Sequence, residues 1–170
     1  MKGFSLLEII IAIAVLGSGI AGAIALINQT VVTGVFAQKQ LIGAHLAQEG
    51  VEVMHNIRNT NWIKQNSDPA ILWDGGLTDG NSCVNFNSAS LSDAGFAAGS
   101  CDSPAQRTLY FLNNRYIHSP TGVGSATNFF RYISIAHGVD SDAKTFVRLT
   151  STVSWDKGSI SVEEVLYDWR

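Results

Sequence analysis

The pattern of hydrophobic and polar positions begins with a long apolar segment. From Ile9 to Ile27 the chain is apolar, and Ser18 is the one strongly polar residue among these nineteen. As an α-helix the segment would be about 28 Å long, close to the roughly 30 Å hydrocarbon core of a bilayer. The pattern therefore predicts a membrane-spanning helix over residues 4–27.

The helix is predicted to continue beyond the membrane, over residues 28–62. This stretch contains no proline, and its apolar residues recur mostly at helical spacing: Val31, Val35, Leu41, Leu46, Val53, Met54 and Ile57. The run Asn59-Thr60-Asn61 consists of poor helix formers and predicts the end near Trp62. Four small residues narrow one part of the helix, which favours packing on a sheet of the same subunit over packing on a neighbouring backbone: Gly43, Ala44, Ala47 and Gly50.

A globular head is predicted over residues 63–170. Residues 63–107 are dominated by Gly, Ser, Asn, Asp and Pro and predict a long loop. Strand patterns follow within residues 108–170 and predict an antiparallel sheet of about four strands: Thr108–Leu112, Phe129–Ala136, Phe146–Trp155 and Ile160–Trp169. Since the apolar strand faces need a cover, the fold class is α+β, a long N-terminal helix packed on this sheet.

The last two predicted strands differ in regularity. Val147, Leu149, Val153 and Trp155 alternate with polar residues, which predicts one buried and one wet face. In the last strand the alternation of apolar and polar residues is interrupted at Glu163-Glu164, where it shifts by one residue. We expect a β-bulge there, because an extra residue would restore the alternation.

Charge is sparse and unevenly distributed. The formal net charge is −3, charged residues make up 15% of the chain, and none lies between Glu8 and Lys39. Without a basic face, nucleic acid is not an expected partner. Lys2 is the one charge before Glu8, so the N-terminus should stay in the cytoplasm and the head should lie outside.

Glu8 separates three interpretations of the apolar segment. A secretory signal has an apolar region of about 7–15 residues, and this one is longer. A plain membrane anchor accounts for the length but not for Glu8, because an acidic group in a spanning helix costs about 2–3 kcal/mol. A carboxylate there needs a cationic partner, and an α-amino group created by cleavage before Phe4, on a neighbouring subunit, would supply one.

Residues 3–8, Gly-Phe-Ser-Leu-Leu-Glu, with the apolar run behind them, resemble the class III signal of type IV prepilins and type II secretion pseudopilins. The resemblance implies that residues 1–3 are a leader, that a prepilin peptidase cuts after Gly3, and that Phe4 becomes N-methylated. It also implies that Glu8 is the assembly glutamate. The implied partners are other pilin or pseudopilin subunits, prepilin peptidase, an inner-membrane assembly platform and membrane lipid.

The segment Val15–Gly22 is similar to the minor-pilin and pseudopilin subclass, in which small residues recur. Many major pilins carry a proline in the second half of this helix, and here there is none. The resemblance therefore implies a structural, minor subunit of a type IV pilus or related filament. A type II secretion pseudopilin, and a membrane-anchored extracytoplasmic binding protein or adhesin, remain as alternatives.

The head offers candidate residues for covalent and metal chemistry, but no catalytic motif. Cys83 and Cys101 form an even pair that suits a disulfide in an oxidising compartment. Asp140-Ser141-Asp142 fits either a calcium-binding loop or an ordinary turn. Nucleophile-elbow, Walker, dinucleotide-binding and CxxC patterns are absent from the sequence, so we expect no enzymatic activity, no metal site and no cofactor.

Overall fold

The structure is a computed structural model that describes residues 5–91, 93–96 and 99–168. It contains a long helix, α1 (Leu6–Gln65), and a short one, α2 (Pro104–Arg107). The strands are β1 (Gly80–Ser82), β2 (Thr108–Leu112), β3 (Arg115–His118), β4 (Ser125–Val139), β5 (Thr145–Trp155) and β6 (Gly158–Tyr167). The chain forms two compact units, Met1–Lys39 and Gln40–Arg170, so that α1 contributes to both.

Helix α1 ends three residues later than predicted. The Asn61 side chain, counted as a helix breaker from sequence, donates hydrogen bonds to the carbonyls of Trp73 (3.2 Å) and Gly75 (2.8 Å). Its tertiary contacts therefore outweigh its low helix propensity. The helix closes at Gln65, where the amides of Ser67 and Asp68 both bond to the Lys64 carbonyl.

The described residues form one six-stranded sheet, two strands more than predicted. Its order is β3-β2-β4-β5-β6, and β1 pairs with β4 beside this path. All pairings between the strands are antiparallel. The four predicted strands are present as β2, β4, β5 and β6, and the α+β fold class is confirmed.

The two additional strands are short and carry weak patterns. β1 is Gly-Asn-Ser, inside the stretch predicted to be a loop, and it owes its pairing to Ser134 and its neighbours on β4. β3 follows β2 through a two-residue turn, Asn113-Asn114, in which both residues have positive φ (50° and 64°). Asparagine tolerates this left-handed conformation, so the pair closes a tight hairpin without glycine.

The second half of α1 packs on the sheet through its small residues, as predicted. A methyl group added at Gly43 would lie 2.8 Å from Cζ3 of Trp155, and one at Gly50 would lie 2.6 Å from the Ser151 hydroxyl. Ala47 is fully buried between them. Because the helix is narrow there, its backbone approaches β5 closely, and larger residues of α1 fill the core further along: Val53, Met54 and Ile57.

The predicted alternation in β5 is confirmed, whereas the predicted bulge in β6 is wrong. Pairing between β5 and β6 is regular from Trp155↔Gly158 to Phe146↔Tyr167. Regular pairing leaves Glu163 exposed and turns Glu164 to the helix side of the sheet, where its carboxylate lies 2.7 Å from Nε2 of His55. An ion-pairing side chain, rather than an extra residue, therefore accommodates the shift in the alternation.

His118, at the end of β3, is a buried histidine without a full set of partners. Nδ1 lies 3.1 Å from the Gln106 carbonyl, so it carries the hydrogen, and the buried Nε2 has no hydrogen-bond partner. Burial lowers the pKa of His118 to about 3, and the positive charge of Arg131 acts in the same direction. The imidazole is therefore neutral in the folded protein.

We expect His118 to make the head lose stability in weak acid. The unfolded chain takes up this proton near pH 6.5 and the folded chain only near pH 3, so stability falls as pH drops below 6.5, by up to about 1.4 kcal/mol per pH unit. Urea unfolding between pH 6.5 and 4.5 should show this slope in the wild type. The slope should be smaller in His118→Asn and unchanged in His45→Asn, at an exposed site on α1. Equal slopes in all three proteins would contradict the assignment.

Candidate functional site

The first 34 described residues, 5–38, present an exposed helical surface. Every one of them is exposed, and the large apolar side chains among them include Leu6, Ile13, Leu16, Ile20 and Ile24. In the described part of the chain, α1 is the one helix long and apolar enough to cross a membrane. An exposed apolar surface of this size needs lipid or protein around it.

Glu8 lies in the first turn of α1. Its backbone amide donates to the Ser5 carbonyl (3.0 Å), so the residue belongs to the helix start, where a negative charge is favoured by the helix dipole. No cation among the described residues lies within ion-pair distance of its carboxylate. Gly3 and Phe4, the predicted cleavage and methylation residues, lie outside the described residues.

Three hydroxyl groups of the exposed segment are hydrogen-bonded within the helix. The hydroxyls of Ser18, Thr30 and Thr33 each donate to a carbonyl three or four residues earlier, all at 2.9 Å. A hydroxyl bonded in this way can enter an apolar environment at little cost. The Glu8 carboxylate cannot donate a hydrogen bond to a helix carbonyl in this way, which distinguishes it from these three hydroxyls.

Glycines in the exposed segment leave its surface open. Apart from the neighbouring backbone of the helix itself, no atom of the described residues lies within 4 Å of a methyl group built on Gly17, Gly19, Gly22 or Gly34. The space beside Gly43 and Gly50, by contrast, is filled by side chains of the sheet. The first group can therefore admit the close approach of another helix, as small residues do in membrane helix pairs.

The disulfide predicted between Cys83 and Cys101 is present. Their Cα atoms are 5.3 Å apart, and both residues are buried beside Ala94, with Phe96 and Tyr132 packed against them. The bond closes a loop with a sequence separation of 18, for which chain entropy gives about 3 kcal/mol. It holds together a part of the head that has little regular structure of its own.

A buried arginine joins the helix, the loop and the sheet. Arg131 on β4 is fully buried and its Nη1 donates to Glu49 Oε1 (2.7 Å) and to the Leu46 carbonyl (3.0 Å), both on α1. Its Nη2 donates to the Val84 carbonyl (2.6 Å). Burial lowers the pKa of Arg131, and the Glu49 carboxylate opposes that shift by favouring the charged form.

Two minor candidates from the sequence have structural explanations. Asp140 accepts hydrogen bonds from the amides of Asp142 and Lys144 (2.9 Å each), which stabilises the turn between β4 and β5. Trp73 and Trp155 are buried in the core, so a sugar or surface-binding role for these two tryptophans, which the sequence alone leaves open, has no support. Trp169 lies outside the described residues.

Sequence reasoning missed the polar contacts that organise the head. Arg131 lies among the aromatic and branched residues of β4, and nothing in the local pattern marks it as buried. Asn85 lies in the loop, yet its side chain bonds both to the amide (2.7 Å) and to the carbonyl (3.2 Å) of His118. Only the tertiary fold brings such partners together, so no local signal was available for either residue.

Comparisons with protein-family models, with curated proteins and with solved structures returned no match to this chain.

Proposed function

We propose that the chain is a structural, minor subunit of a type IV pilus or related filament, assembled through the first half of α1. The observation that carries this proposal is that the first half of α1 is apolar and fully exposed, yet has an acidic residue, Glu8, in its first turn. The class III signal in the sequence supports the same proposal and supplies the cleavage between Gly3 and Phe4.

Glu8 would act by fixing the register of neighbouring subunits. Cleavage after Gly3 creates a positive α-amino group on Phe4, one helical turn before Glu8. If helices stagger along a filament, the carboxylate of an incoming subunit can meet the amine of the preceding one, and the pair offsets the desolvation of both charges. The open surfaces at Gly17, Gly19 and Gly22 would allow the helices to approach closely.

The proposed topology has the N-terminus in the cytoplasm and the head outside before assembly, and a cell-surface or extracytoplasmic filament afterwards. Lys2 before the span and the disulfide behind it both favour this orientation. Prepilin peptidase, an inner-membrane assembly platform and other pilin-type subunits would be the partners. A type II secretion pseudopilin would share all of these features, because they concern the helix rather than the cargo.

Processing can be tested by replacing Gly3 with Ala in a strain that carries a prepilin peptidase. We expect the variant to keep its leader and to migrate as the precursor on a gel, since the signal resembles those that are cut after glycine. Gly17→Ala, at an open site of the same helix, is the matched control and should be processed normally. A Gly3→Ala protein that migrates as the mature wild type would contradict the proposal.

A further inference from the structure

Two clefts flank the tip of the β2–β3 hairpin in the head. The first, of about 390 Å³, lies between α1 and the hairpin, and the second, of about 520 Å³, lies between the hairpin and the loop that follows β1. Phe86 and Arg115 line both clefts. Asn114 lines the first and Asn113 the second, so the hairpin turn forms a partition between them.

Arg115 lies at this partition, stacked on an aromatic ring and without an ion-pair partner among the described residues. The guanidinium lies 4.2 Å from the centroid of the Phe86 ring, and no carboxylate in the described part of the chain lies within ion-pair distance. A stacked guanidinium keeps its N–H donors free at its edge, in a fork that matches a carboxylate. Arg115 is exposed, so its guanidinium is accessible to an anion from solvent.

The two carboxylates that line the clefts are already engaged. Glu49 pairs with Arg131 (2.7 Å), and Asp93 accepts bonds from the amides of Ala89 (2.6 Å) and Ser90 (2.9 Å). The Ser90 hydroxyl also donates to Asp93 and contributes most to lowering its pKa. Arg131 offsets the charge of Glu49, whereas Asp93 keeps its negative charge and is exposed, so that solvent screens its repulsion of an anion at Arg115.

Uncommitted amides surround the arginine. The side chains of Asn87, Asn113 and Asn114 make no hydrogen bond to any described residue. Each amide supplies both donors and an acceptor, which is the combination that a sugar hydroxyl can use. Phe86, Tyr116 and Ile117 add apolar surface to the clefts, on which the C–H face of a sugar ring could pack.

At the C-terminal end of β3, the edge of the strand cannot pair with a peptide strand, because its backbone groups are already hydrogen-bonded. The Asn85 side chain occupies both the amide and the carbonyl of His118, as a neighbouring strand would do. β3 has four residues, so little edge remains for strand addition. Recognition at this place therefore depends on side chains rather than on the backbone.

We propose that the two clefts form a binding site for an acidic oligosaccharide, with a uronate carboxylate on Arg115 and the adjoining sugar rings in the clefts. The site lies in the head and does not depend on the filament function proposed above. Its ligand chemistry follows from one exposed cation between two amide-lined, partly apolar clefts.

The test is binding of pentagalacturonate to the full chain in detergent micelles, measured by isothermal titration calorimetry. We expect saturable binding that weakens at least tenfold in Arg115→Gln, because a bidentate charged contact is lost. Arg115→Lys should recover only part of the loss, since it keeps the charge without the fork. Asn113→Gly with Asn114→Gly, which keeps the left-handed turn but removes both amides, should also weaken binding.

Controls separate the proposal from general charge attraction. Arg148→Gln, which removes an exposed arginine paired with Glu163 on another part of the sheet, should bind as the wild type does. Methyl-esterified pentagalacturonate should bind at least tenfold more weakly than the acid. The proposal is overturned by no binding of pentagalacturonate, by equal binding of the ester, by an equal loss in Arg148→Gln, or by equal or tighter binding of pentaglutamate.

Discussion

Replacing Glu8 with Ala should remove the chain from filaments while leaving it in the membrane. Loss of the carboxylate removes the proposed partner of the Phe4 amine, whereas insertion should become easier because a charged group in a spanning helix is unfavourable. We expect filament incorporation to fall at least tenfold, measured by immunoblotting of sheared filaments against the membrane fraction. Cleavage after Gly3 should continue.

Ser18→Ala is the matched control for this experiment. Ser18 lies in the same exposed segment, and its hydroxyl bonds to the Val15 carbonyl within the helix, so its removal should leave incorporation unchanged. A protein that used the helix only as a tether would tolerate both changes equally. Normal incorporation of Glu8→Ala would therefore contradict the proposed pairing of Glu8 with the Phe4 amine.

Replacing Glu49 with Gln should destabilise the head strongly, because it leaves the Arg131 charge without its carboxylate partner. Arg131 is fully buried and remains charged, so the variant leaves a buried cation facing only carbonyl groups. Because the Glu49 side chain is 35% exposed, we expect a loss of about 2–3 kcal/mol rather than more. The free energy of urea unfolding, followed by near-ultraviolet circular dichroism, measures it.

Two further variants make the Glu49 result specific. Glu52→Gln removes an exposed charge from the same helix and should change stability by less than about 0.5 kcal/mol. Glu49→Gln combined with Arg131→Met removes both charges and should recover stability relative to Glu49→Gln alone. If Glu49→Gln and Glu52→Gln unfold alike, the buried pair does not have the role assigned to it.

The sequence predicts the parts of the fold whose patterns are long and local. The apolar run and its helical continuation predict α1, and the alternation in residues 146–155 predicts β5, because each pattern repeats over many residues. β1 has three residues and forms by pairing with β4, and β3 has four residues and forms by pairing with β2. Too few residues are available in either strand for a period to show.

The candidate site divides in the same way. Glu8 stands out in the sequence because the apolar residues around it make a single charge conspicuous. The pair Cys83 and Cys101 can be proposed from number and compartment, and the fold brings the two together. The stacking of Arg115 on Phe86 joins residues that are far apart in the chain, and so does the ion pair of Arg131 with Glu49. Both contacts therefore depend on the tertiary structure.

Mass spectrometry of the mature N-terminus is the sharpest test of whether the chain is processed as a pilin-type subunit. The account predicts that the chain isolated from membranes or filaments begins at Phe4 and carries one N-methyl group, whereas the Gly3→Ala protein begins upstream and is unmethylated. An unmethylated chain that still begins at Met1, or one cut near Ala21-Gly22-Ala23 as a secretory signal would be, would contradict the account.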